Sequence, residues 1–77
     1  MELIPNGIAR EIRAELGRQS MTMADLAART GLSYSTVVRK ISNEERELTT
    51  GEFARIANVL GVLPSELFER AEQQAVA

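Results

Sequence analysis

The side chains able to do chemistry in this sequence are few in kind. Its 77 residues include no histidine and no cysteine. That removes the usual general base, the commonest metal ligand and any thiol nucleophile. The carboxylates are scattered, with no nucleophile–base pair and no metal-ligand spacing among them. No catalytic residue, metal or cofactor is therefore expected, and the chain does not read as an enzyme. What remains is hydrogen-bonding chemistry, gathered between Ser33 and Lys40. Arg39 can pair in bidentate fashion with O6 and N7 of a guanine. Ser35 can donate or accept, Val38 can touch a thymine methyl, and Tyr34 can reach a base or a phosphate.

Such groups read base edges only if a rigid element carries them. An α-helix fits the B-DNA major groove, and its first turns reach the bases. Residues 23–42 are laid out as two short helices around a tight turn. Thr22 is a good N-cap, and Asp25 three residues on makes a capping-box variant at the positive end of the helix dipole. Leu26 and Ala27 give the first helix its inward face, and the small Ala27 lets another helix cross close by. Gly31 falls where the chain must turn and reaches positive φ without a Cβ clash. Ser33 caps the second helix, in which Val37 and Ile41 lie four apart on one face. With those two inward, the opposite face shows Tyr34, Ser35, Val38 and Arg39. This spacing is that of a helix-turn-helix.

The other elements support this pair. Residues 1–5 read as a short arm, with Pro5 suited to the first turn of a helix beginning near Asn6. Ile8, Ile12 and Leu16 recur at i, i+4, i+8, so the first helix is amphipathic. Arg10, Glu11, Arg13 and Glu15 are expected on its wet faces, and its end near Gly17 or Arg18. Residues 43–48 read as an exposed acidic loop in which Asn43, assisted by Arg46, can meet a phosphate. Thr49 or Thr50 caps the next helix, with Phe53, Ile56, Ala57 and Leu60 as its apolar stripe and Gly61 as its C′ residue. Val62 and Leu63 are expected to return to the core. Pro64 and Ser65 start a last helix carrying Leu67 and Phe68, and residues 69–77 either prolong it or fray.

Taken together, MTMADLAARTGLS, STVVRKIS, LTTGEFARIANVLGV and the PSELF after it resemble the Cro and phage-repressor type of helix-turn-helix domain, also called XRE-like. The resemblance spans about residues 8–68. Counting from Met23, the small residue is fifth (Ala27), the glycine ninth (Gly31) and the β-branched residue fifteenth (Val37), as in that family. The eighteenth is Lys40 where the family has an apolar residue, and Ile41 takes over the packing. Whether Arg39 or Lys40 faces a groove then depends on how the helix is rotated.

The resemblance implies an all-α, five-helix, lambda-repressor-like bundle over residues 6–70, with an arm at 1–5 and a tail at 71–77. It implies base reading by Tyr34, Ser35, Arg39 and sometimes Val38. Phosphate contacts fall to the backbone amides of Thr22 and Met23, and to Ser33, Thr36, Lys40 and Asn43, with Arg10, Arg13 and Arg18 flanking. It implies a symmetric homodimer on double-stranded DNA, with Val62, Leu63, Leu67 and Phe68 as the candidate dimer surface. The alternative for the last two is that they simply close the monomer core.

Length and charge frame these expectations. Seventy-seven residues make one small domain with a thin core, leaving no room for a separate ligand-sensing domain, so no small-molecule ligand is expected. No apolar run approaches a membrane span, and no signal-peptide pattern appears. The net charge is −2, which by itself disfavours a nucleic-acid partner. Its distribution is polar: residues 7–42 hold six basic side chains against three acidic, while residues 43–77 hold three against seven. The expected function is a phage or bacterial transcriptional regulator of the cytoplasm or nucleoid. The alternative is an antitoxin-like protein-interaction module using the acidic half.

Overall fold

The computed structural model describes the backbone of residues 7–76 and the side chains of residues 7–73. The expected arm at 1–5 and a helix start near Asn6 lie outside the described residues. Five helices follow in order: α1 (Gly7–Arg18), α2 (Met23–Thr30), α3 (Tyr34–Val37), α4 (Thr50–Leu60) and α5 (Pro64–Val76). From α3 the chain runs on as a wider π-helical turn, Val38–Ser42. Among the described residues no strand forms, apart from one bridge residue at Thr49.

The helices begin where their caps dictate. Thr22 and Thr49 each head a full capping box, with Asp25 and Glu52 returning a carboxylate to the cap's own N–H. Such caps satisfy N–H groups that a helix start leaves without partners. Gly31 and Gly61 end α2 and α4 in the left-handed conformation, at φ 79° and 70°. Space around Gly31 is open to a Cβ, so Gly31→Ala tests backbone strain alone. We expect a loss of about 1–2 kcal/mol, read as a lower urea midpoint. An unchanged midpoint would mean that the turn relaxes to negative φ.

The core gathers one face from each element. Ile8, Ile12 and Leu16 of α1 meet Leu26 and Ala27 of α2, Val37 and Ile41, the α4 stripe Phe53, Ile56, Ala57 and Leu60, and Leu67 of α5. Burying each of the larger side chains stabilises the fold by about 1.5–3 kcal/mol. α1 is the central element, because it packs against α5 on one side and the π-helical turn on the other. α2 packs on α3 and α4.

That packing corrects several expectations. Glu11 and Glu15 are not on wet faces but buried, because a helix flanked on both sides buries a wider stripe than its apolar residues alone mark. Glu15 is compensated by Arg18 at 2.6 Å, Arg70 at 3.0 Å and the Gln19 amide at 2.9 Å. Gln19 also donates to the Leu60 carbonyl, so this one carboxylate links the ends of α1 and α4 to α5. Leu63 is likewise not in the core but 63% exposed. Val62 turns inward as Gly61 ends α4, and Leu63, next along the linker, points away. The loop of residues 43–48 is exposed except for Leu48, which is buried and anchors it. Of the two alternatives for the chain after Phe68, the helix is prolonged: α5 runs on through Val76.

Candidate nucleic-acid interface

The second motif helix is built from Ser33. Its hydroxyl accepts the Thr36 N–H at 3.1 Å and donates to the Thr36 hydroxyl at 2.7 Å. The turn before it is held by Thr30, whose buried hydroxyl donates to the Leu26 carbonyl and accepts the Leu32 N–H. Val37 and Ile41 plant the helix in the core. Its opposite face is then fixed in space: Tyr34 is 59% exposed, Ser35 and Arg39 are exposed, and Val38 is half-buried beside them. Among the described residues no carboxylate pairs with Arg39. Of the four expected base-reading side chains, Tyr34, Ser35 and Arg39 are therefore open to a partner and Val38 is partly so.

The expected phosphate contacts divide. Ser33, Thr36 and Asn43 lie on or beside that helix, Ser33 and Asn43 exposed and Thr36 half-buried. Met23 is half-buried against the core, leaving its backbone amide at the start of α2. The Thr22 amide is not available, because its N–H is donated to the Asp25 carboxylate at 3.1 Å. Lys40 is also placed otherwise than expected: its ammonium lies 2.7 and 2.9 Å from the two Glu52 oxygens. Lys40 lies in the π-helical turn, where the Asn43 N–H bonds the Val38 carbonyl five residues back. Of the flanking arginines, Arg13 pairs with Glu44 at 3.1 Å and Arg18 with Glu15 at 2.6 Å. Arg10 is exposed and, among the described residues, in no ion pair. Arg29, in the last turn of α2, is an exposed cation that sequence reasoning passed over, although its place one residue before the Thr30–Gly31 turn was visible.

A family model described as the Cro/C1-type HTH DNA-binding domain matches residues 11–73. The chain belongs to this family. No curated protein and no solved structure matches it. In this Cro/C1-type domain no helix among the described residues is long and apolar enough to cross a membrane.

The candidate dimer residues of the domain divide as well. Leu67 is completely buried in the monomer core and offers no surface to a partner. Phe68 is 37% exposed and packs edge-on against Phe53, ring centres 5.4 Å apart. Leu63 stands out, and with the half-buried Val62 and the exposed Pro64 and Ala54 it lines a shallow, mainly apolar hollow at the α4–α5 turn.

Three carboxylates of the Cro/C1-type domain lie below their ordinary values and tie its stability to pH: Asp25, held down by the Thr22 N–H and hydroxyl in its capping box, and the two less exposed ones, Glu15 and Glu52. The Gln19 amide holds Glu15 below its ordinary value of 4.5, against the effect of burial and with help from Arg18 and Arg70. Burial pushes Glu52 up, but the Lys40 ammonium and the Thr49 amide more than reverse it, so it too lies below 4.5. A carboxylate whose folded value lies below its unfolded one contributes stability that is complete above the unfolded value. That contribution is lost as pH falls through the folded value. The urea midpoint should therefore hold from neutrality to about pH 5 and then fall, and Glu15→Gln should flatten that fall. A midpoint equally high at pH 5 and at about pH 2 would refute this.

Proposed function

We propose that this Cro/C1-type domain is a sequence-specific transcriptional regulator that reads the major groove with residues 34–42. It acts as a symmetric dimer on a pseudo-palindromic operator, with half-sites about 34 Å apart. The observation that carries the reading is the split of one helix. Val37 and Ile41 are buried to 1% and 0%, while Tyr34, Ser35 and Arg39 stand exposed on the other side with bidentate and hydroxyl chemistry to offer. Met23, Ser33, Thr36 and Asn43 position the domain on phosphates without reading sequence. The apolar hollow around Leu63 is where a second copy joins. The net charge of −2 does not oppose this, because it is unevenly placed: residues 7–42 hold six basic side chains against three acidic, and Arg10, Arg29 and Arg39 are exposed and in no ion pair among the described residues.

The test is a fluorescence-anisotropy titration against the DNA upstream of the protein's own gene and against a scrambled duplex, at two salt concentrations. Tight binding to the first alone, weakened by salt with a slope of several phosphates, is expected. Equal weak binding to both duplexes would count against sequence reading at this DNA. The exposed Leu63 would then favour an antitoxin-like protein partner, sought by pull-down.

A further inference from the structure

The helix that faces DNA in the reading above carries two adjacent cations with opposite fates. Arg39 is exposed and pairs with no carboxylate among the described residues. Lys40 is drawn back, with its side chain 17% exposed and its ammonium on both oxygens of Glu52. Glu52 is itself held still. It accepts the Thr49 N–H at 2.8 Å, its own N–H goes to the Thr49 hydroxyl, and its neighbour Phe53 is buried in the core. Lys40 thus ties the recognition element to α4 through one ion pair.

The tie falls where the element departs from α-geometry. Turns of Val38–Ser42 close five residues back instead of four. A widened turn of this kind is rare and often lies at a functional site. Each residue of an α-helix advances by about 100°, so the inserted residue changes which side chains after Val38 face out. On its far side the turn is held by Arg13, which donates to the Ile41 carbonyl. On the α4 side it is held by Lys40.

We infer that Lys40 and Glu52 are a positioning pair for DNA recognition: they hold the widened turn, keep Lys40 off the phosphates and present Arg39 to the bases. This rests on the reading of the domain as a sequence-specific DNA binder. Neither residue touches a base. Their effect passes through Arg39.

The experiment starts from a pool of duplexes randomised over roughly two helical turns, from which the wild-type chain selects its preferred sequence. Glu52→Gln keeps the capping box, since glutamine serves at that position, but removes the charge that holds Lys40. It should lower base preference at the Arg39 position about tenfold. It should also steepen the salt slope by about one, as the released ammonium reaches a phosphate. Lys40→Met should lower the preference equally with no change of slope. Lys40→Arg should restore it. If Lys40→Met instead cuts the slope by about one and leaves base preference intact, Lys40 is a phosphate contact and the pair does not position Arg39. Amide exchange in the free proteins supplies an arm that needs no DNA. In Glu52→Gln and Lys40→Met the Asn43 N–H should exchange faster, while those of Ile12 and Ile56 keep their wild-type rates. Unchanged Asn43 exchange overturns the inference. If the wild-type chain enriches no sequence, the DNA reading fails, and Asn43 exchange still decides whether the pair holds the turn.

Discussion

Ile41→Ala is expected to cost about 2–5 kcal/mol of folding stability. Ile41 is completely buried, and it sits where the π-helical turn packs against α1. Removing its branched side chain loses the transfer free energy of the deleted carbons and leaves a cavity that α1 cannot close without moving. The whole domain is small: at about 0.05–0.15 kcal/mol per residue, 77 residues give roughly 4–12 kcal/mol in total. This one change therefore removes a large share of the margin. For a domain of this size each kcal/mol shifts Tm by about 4–8 °C, so a fall of at least about 10 °C should be seen by circular dichroism. Exposed positions on the same element offer the control. Ser35→Ala, on the opposite face, should stay within about 0.5 kcal/mol. If both variants melt together, the inward rotation of this helix is wrong, and with it the assignment of its outward face.

Arg39→Ala is expected to do the reverse, leaving the fold intact and damaging recognition. Its guanidinium pairs with no carboxylate among the described residues, so stability should change by less than about 0.5 kcal/mol. Operator affinity should fall by about 1–3 kcal/mol, with preference relaxed at one base pair. Lysine should not restore it, because an ammonium cannot reproduce the planar two-point geometry of a guanidinium on guanine. The informative measurement is a panel of operators, each changed at one base pair, titrated with both variants. A uniform loss across the panel, with a salt slope reduced by about one, would make Arg39 a phosphate contact instead. Unchanged affinity would remove it from the interface.

Ile41→Ala tests a face that is legible in the amino-acid sequence, because local rules carry most of the fold. The threonine caps, the glycines at helix ends and the apolar repeats in α1 and α4 each depend on residues within four positions of one another, and helix geometry converts such spacings directly into faces. Ser35 follows in the same way, lying across the helix from Val37 and Ile41, whereas the choice between Arg39 and Lys40 depends on a helix rotation that no local rule sets. The motif also suffices to place the chain in the Cro/C1-type family, which the match over residues 11–73 bears out.

Tertiary structure decided what depends on neighbours distant in sequence. Glu11 and Glu15 look like solvated positions until α5 is laid over α1. Leu67 looks as fit for a partner as Leu63 until the core is seen to close over one and not the other. Lys40 reads as a free cation because nothing local announces Glu52, twelve residues on, as its counter-ion. A lysine on a short helix has several staggered stems, and only the packing of α4 against the helix pair selects the one that ends on that carboxylate. Sequence by itself thus determined the five helices, their caps and the apolar residues that each of α1–α4 turns inward, but not the π-helical turn or the buried acids of α1. The fold alone decided which charges are neutralised and which stay free to meet DNA, because ion pairing depends on separations of a few ångströms between helices that only their mutual packing sets.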